Sequence, residues 1–147
     1  MSQRVITVVV GGQSGMQLAL GLQSHGYDVR VLQNRSADEI RNGRVLSSQC
    51  MFGAALQTER DLGLALWEAD CPTVDSISFT VPAPDGSGAK AIDWNGKLDR
   101  PAQSVDQRIK IPAWMAEFER RGGRITIKEA GLADLEAELL HPGVSSS

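Results

Sequence analysis

The sequence predicts an α/β fold built on a parallel βαβ unit, from three observations. A short β-branched run, Val5 to Val10, feeds the cluster Gly11-Gly12-Gln13-Ser14-Gly15. The cluster opens a segment with Met16, Ala19, Leu20 and Leu22 at helical spacing. A second apolar run, Val29 to Leu32, follows within the roughly thirty residues that such a unit occupies.

Each element has a local reason. Val5 to Val10 is the length of a buried parallel strand. Ser14 to His25 reads as a helix closed by Gly26, and Tyr27-Asp28 turns the chain into the second strand. Ser36-Ala37-Asp38-Glu39 has capping-box spacing and suits either a short helix or a polar loop. Ala54 to Trp67 carries Leu56, Leu62, Leu64 and Leu66 among charges, a helix that Cys71-Pro72-Thr73 breaks. Ile77 to Val81 alternates as a half-buried strand does. Asp85-Gly86-Ser87-Gly88 is a turn, Ala89 to Trp94 a returning strand, and Asn95-Gly96 a second tight-turn signal. This middle region, about 74–98, is an antiparallel insert.

Ser104-Val105-Asp106-Gln107 is another capping-box pattern. The helix after it places Ile111, Met115 and Phe118 on one face and ends at Gly122-Gly123. Pro112 lies inside it, so a kink or a later start is expected. Arg124 to Lys128 reads as a short strand and Leu132 to Leu140 as a last helix, with a disordered tail over 141–147.

Composition narrows the function classes. The chain has 147 residues, one domain's length, with 41% hydrophobic and 22% charged residues, as in a globular protein. A net charge of −3 without a basic stripe argues against nucleic acid. Arg120-Arg121 is read as a structural pair at a helix C-terminus, where cations suit the dipole. Cys50 and Cys71 match no metal spacing and suit reduced thiols in a cytoplasmic protein. No apolar run is long enough to cross a bilayer, so no membrane partner is expected. His25 and His141 have no triad or metal neighbours in sequence.

The glycine cluster is the motif that carries chemistry. A helix N-terminus exposes unpaired N–H groups and partial positive charge, and a pyrophosphate reaches it only where no side chain intervenes. In the G-x-G-x-x-G fingerprint of a Rossmann-like dinucleotide site, Gly12 and Gly15 fill the second and third glycine positions. Val10 fills the first, where a β-branched residue at positive φ would be strained by about 1–3 kcal/mol. Gly11 can absorb part of that turn. Gly11, Gly12, Gln13, Ser14 and Gly15 together are the candidate cofactor-binding loop, Ser14 adding a hydroxyl donor. The end of the second strand offers Gln33-Asn34-Arg35 in place of the acidic residue that binds a ribose, which disfavours NAD. Gln33 or Asn34 can bond a ribose, and Arg35 faces either a phosphate or water. No nucleophile–base pair and no paired carboxylates are present, so any catalysis rests on a cofactor.

Arg4-Val5-Ile6-Thr7-Val8-Val9-Val10-Gly11-Gly12-Gln13-Ser14-Gly15 resembles the N-terminus of the oxygenase component of styrene monooxygenase. So do Asn34-Arg35, Gly43-Arg44-Val45-Leu46, and Ser104-Val105-Asp106-Gln107-Arg108 with Pro112 and Arg120-Arg121-Gly122-Gly123 after it. The likeness runs from about Arg4 to about Leu140. It implies a two-component flavoprotein monooxygenase: a separate flavin reductase supplies reduced FAD, O₂ is activated, and oxygen passes to a small aromatic alkene such as styrene or indole to give an epoxide. Gly12, Gly15, Arg44 and Arg108 would contact FAD, Arg108 having the alternative of a solvated helix-surface cation.

Two departures stand out. Val10 replaces a glycine, and the chain ends before a further Rossmann strand, a substrate-binding sheet and a later Gly-Asp segment. The expectation is therefore a truncated flavoprotein monooxygenase fold. It has a partial FAD-binding domain over 1–140, weak or absent FAD binding, and no turnover alone. Val10→Gly should improve flavin binding if strain is limiting. The alternatives are a non-catalytic Rossmann-like remnant or interaction module, whose exposed sheet edge leaves a homo-oligomer open, and an NADP-binding reductase domain with Arg30 or Arg35 at a 2′-phosphate.

Overall fold

A computed structural model describes residues 5–9, 11–45 and 49–140. Val10 and the tail 141–147, on which a strained turn and disorder were expected, lie outside the described residues. The chain divides into two compact units. The first comprises Met1–Ser48 with Asp106–Ser147, and the second comprises Gln49–Val105.

The first unit is the α/β fold. Strand β1 (Val5–Val9), helix α1 (Gln13–Ser24) and strand β2 (Asp28–Gln33) form the expected βαβ. β1 and β2 pair in parallel from Val5↔Asp28 to Val9↔Leu32. Gly26, at φ 81, ends α1 where a side chain would be strained. Helix α2 (Ala37–Arg41) resolves the choice left at Ser36: its hydroxyl accepts from Glu39 N, and Glu39 Oε2 accepts from Ser36 N at 2.7 Å.

The numbering of the first unit resumes after the second with helix α4 (Gln107–Arg120), strand β5 (Arg124–Ile127) and helix α5 (Leu132–Leu139). β5 joins the sheet beside β2, so the parallel order is β1-β2-β5. α1 packs on β1 and β2 and α4 packs on α1 and β5, and Val8, Val29 and Val31 of the sheet are buried together with Met16, Ala19 and Leu20 of α1 and Trp114, Met115 and Phe118 of α4. Burial of such side chains stabilises by roughly 1.5–3 kcal/mol each.

α4 does not start late. Pro112 stands inside it, without an N–H for the fourth carbonyl before it. The N-cap is Asp106, whose carboxylate accepts from Arg108 N, and the expected cap Ser104 instead donates to the Gln49 carbonyl. Arg120 and Arg121 both bind Glu117, the structural role expected of the pair. The two guanidinium groups hold the Glu117 carboxyl down at about 2.

The second unit contains α3 (Gly53–Asp61), β3 (Thr73–Pro82) and β4 (Lys90–Gln103). α3 is shorter than its leucine pattern predicts, because the chain turns at Gly63, φ 69, and Leu64 is buried outside the helix. β3 and β4 pair antiparallel around the Asp85–Gly88 turn. Asn95-Gly96 is not a turn: Asn95 pairs with Ser78 and Gly96 with Ile77, inside a continuous ladder. Thr80 donates to Asp93 and Asn95 donates to Ser78, cross-strand bonds that hold the strand through the dipeptide. Pro101 falls where the register slips between Val74↔Ala102 and Ser76↔Lys97, a place that tolerates a missing N–H. The alternation expected to be half-buried is exposed, with Ile77 at 38% and Phe79 at 48%.

Candidate functional site

The parallel sheet directs the ends of β1, β2 and β5 to one edge, and a cavity of about 380 Å³ lies there. Ligands of open α/β sheets bind outside the carboxyl ends of the strands. Val9, Gly11 and Gly12 form the β1 side of the wall, Leu32 to Arg35 the β2 side, and Lys128 to Ala130 the β5 side. Ile40 from α2 and Ile111 from α4 supply buried apolar surface. The volume suits a nucleoside-sized group rather than a whole dinucleotide.

Gly12 is the N-cap of α1, with φ −73. No side chain caps the helix and its first turn has no acidic residue, so its positive end is not neutralised from within α1. A methyl group placed on Gly12 would meet nothing within 4 Å. Among the described residues the approach to the helix N-terminus is therefore open, and a side chain at position 12 would enter it.

Gly11 differs. A methyl group there would overlap Oε1 and Cδ of Gln33 and stand 2.5 Å from its Cγ. Gln33 is 3% exposed. Its Nε2 donates to the Arg35 carbonyl at 2.9 Å and lies 3.5 Å from Met115 Sδ, while Oε1 is buried without a partner. Gln23 Oε1 and Arg30 Nε are buried in the same state, and of the three residues Gln33 is the one that lines the cavity.

The structure brings together four of the nine sequence candidates. Gly11, Gly12, Asn34 and Arg35 all line the cavity. Gln13 is buried and accepts from Gln107 Nε2 at 2.6 Å, tying α1 to α4. Ser14 is exposed and Gly15 half-buried in the first turn of α1. Arg44 is exposed in the coil after α2 and is not among the cavity-lining residues. Arg108 is on the surface of α4, bound by both carboxylate oxygens of Asp106, the arrangement of a helix-surface ion pair. That pairing holds the Asp106 carboxyl below its ordinary value.

Lys128, Glu129 and Ala130 escaped sequence reasoning, since no motif marks them. They enter the wall because β5 lies beside β2, where Lys128 N donates to the Gln33 carbonyl at 2.7 Å. Lys128 Nζ pairs with Asp134, and with the Gly131 N–H it keeps that carboxyl below its usual range. Among the described residues no cluster of three His, Cys, Asp or Glu suits a metal, and no helix is long and apolar enough to cross a membrane.

No family model and no curated protein matches the sequence. Solved structures do match in fold. A flavin-dependent halogenase, CmlS, superposes with TM-score 0.70 at 16% identity, over 91% of this chain and 25% of its own. The tetrameric form of 2-methyl-3-hydroxypyridine-5-carboxylic acid oxygenase gives 0.60 at 16% identity, over 86% of this chain and 32% of its own. Aklavinone-11 hydroxylase, solved with FAD and aklavinone, gives 0.58 at 17% identity, over 85% and 25%. The chain therefore shares the fold of a portion of these structures and spans about a quarter to a third of their length.

Proposed function

We propose that this chain is the FAD-binding portion of a flavoprotein monooxygenase of the styrene monooxygenase type. The cavity at the ends of β1, β2 and β5 would take the adenosine diphosphate end of the cofactor. The observation that carries this reading is the open approach at Gly12 to the uncapped N-terminus of α1. The residues present fit the group: the open space at Gly12 and the uncapped α1 terminus would hold phosphate. Asn34 and Arg35 form a polar wall, and Ile40 and Ile111 exclude water. When bound, FAD supplies the oxygen-activating chemistry. Arg44 and Arg108 remain candidate contacts by sequence resemblance, and Arg108 would have to exchange Asp106 for the cofactor.

The alkene substrate and the separate reductase rest on the sequence resemblance, and the styrene-type assignment with them. The fold of the neighbours supports the coarser reading, a flavoprotein monooxygenase. The 147 residues alone are expected to bind FAD weakly and to epoxidise no styrene when given a reductase. Titration of FAD by fluorescence quenching tests this: weak saturable binding, displaced by ADP, is expected. Tight stoichiometric binding contradicts the weak-site reading, and absent binding contradicts the flavin reading itself. A second reading, NADP binding, is favoured by Arg35 in the wall and by the neutral Gln33 at the end of β2. An NADPH titration without signal removes it.

A further inference from the structure

We propose that the Gln33 carboxamide is a built-in competitor for the glycine loop, which a ligand must displace from Gly11 to sit between that loop and the end of β2. The inference rests on the proposed nucleotide site and goes beyond it, because it makes Gln33 an occupant of the site and a determinant of its affinity.

Four observations converge on it. The carboxamide fills the volume that a side chain at position 11 would take, whereas the neighbouring volume at Gly12 is open. Gln33 and both glycines line one cavity, so the carboxamide lies where a ligand reaching from Gly12 to β2 must pass. Its hold is slight: one bond to the Arg35 carbonyl at 2.9 Å and one sulfur contact at 3.5 Å, with no ion pair. Oε1 is buried without a partner, so the covered state carries an unmet acceptor. Rotation away from the loop uncovers Gly11. Only the uncovered form accepts ligand, so the apparent affinity falls by the fraction of molecules uncovered.

Stopped-flow fluorescence with FAD, and ADP as competitor, tests the proposal on the whole chain. With about one molecule in ten uncovered, Gln33→Ala should bind FAD about tenfold more tightly and faster. Gln33→Thr, which keeps a strand-favouring residue but is too short to cover Gly11, should do the same if the alanine variant folds poorly. Packing gives an independent readout. Gly11→Ala should lower the melting temperature in the parent chain, and Gln33→Ala should restore it in the double variant. Binding by the parent with unchanged or weaker binding by both Gln33 variants overturns the competitor role alone. No binding of FAD or ADP by any of them overturns the nucleotide site as well. A double variant as destabilised as the sum of its parts shows that the carboxamide does not occupy Gly11, and also overturns the proposal.

Discussion

Gly11 and Gly12 are adjacent, and each must be glycine for a different reason. At Gly12 the backbone, φ −73, suits any residue and the space beside it is empty. Gly12→Val should therefore still fold, losing only the roughly 1 kcal/mol that a poorer N-cap costs, but should lose FAD affinity by about tenfold or more, a loss of at least 1.4 kcal/mol. At Gly11 a side chain would have to displace the Gln33 carboxamide, so the same substitution should also lower the melting temperature. Glu117 is a second residue with a distinct prediction. Arg120 and Arg121 depress its carboxyl from 4.5 to about 2. A depressed carboxyl adds stability that is fully present above its unfolded value and is lost as pH falls through the folded one. Glu117→Gln should flatten the acid side of the stability profile between about 4.5 and about 2, as read by chemical denaturation at stepped pH. An unchanged slope would show that Glu117 does not titrate against the two arginines.

At the scale of elements, α2 matters because Ile40 on it walls the cavity while the helix is only five residues long. Such a helix depends on its cap. Ser36→Ala removes the capping hydroxyl and should destabilise the chain by about 1 kcal/mol, with weaker nucleotide binding in parallel. The capping box was legible in the sequence because its two side chains serve groups three residues away. Ser104 had the same spacing and misled, because Asp106, two residues later, caps α4 with its own carboxylate. Asn95-Gly96 misled for a similar reason. Tight-turn chemistry is local, but the ladder from Phe79↔Trp94 to Ser76↔Lys97 and the earlier Asp85–Gly88 turn had already fixed the hairpin. α3 shows the limit of leucine spacing, which cannot tell a buried turn residue such as Leu64 from a helical one.

Over the whole chain, what was legible was the part in which neighbours in sequence are neighbours in space. β1, α1 and β2 follow that rule, and Gly11, Gly12, Asn34 and Arg35 were readable from it. The β5 side of the cavity was not, since Lys128 reaches it through strand order alone. Gln33 was readable as a hydrogen-bonding residue at the end of β2, but its cover over Gly11 needed coordinates. The second unit has its own signature: Ile77, Phe79, Ile92 and Trp94 lie exposed, Phe79 and Trp94 with ring centroids 5.8 Å apart. Exposed apolar surface of this kind binds hydrophobic dyes. Replacing Phe79 and Trp94 together by Thr should lower the fluorescence of bound anilinonaphthalene sulfonate without changing FAD binding. Equal dye binding would show that the face is covered in solution.

In the proposed function, the cavity at the ends of β1, β2 and β5 takes a nucleotide through the open approach at Gly12. The direct test is isothermal titration of FAD into the parent chain and into Gly12→Val at a temperature where both are folded. The parent should bind weakly and saturably, with ADP displacing the flavin, and the variant should lose that binding. No binding by the parent, or equal binding by both, would contradict it.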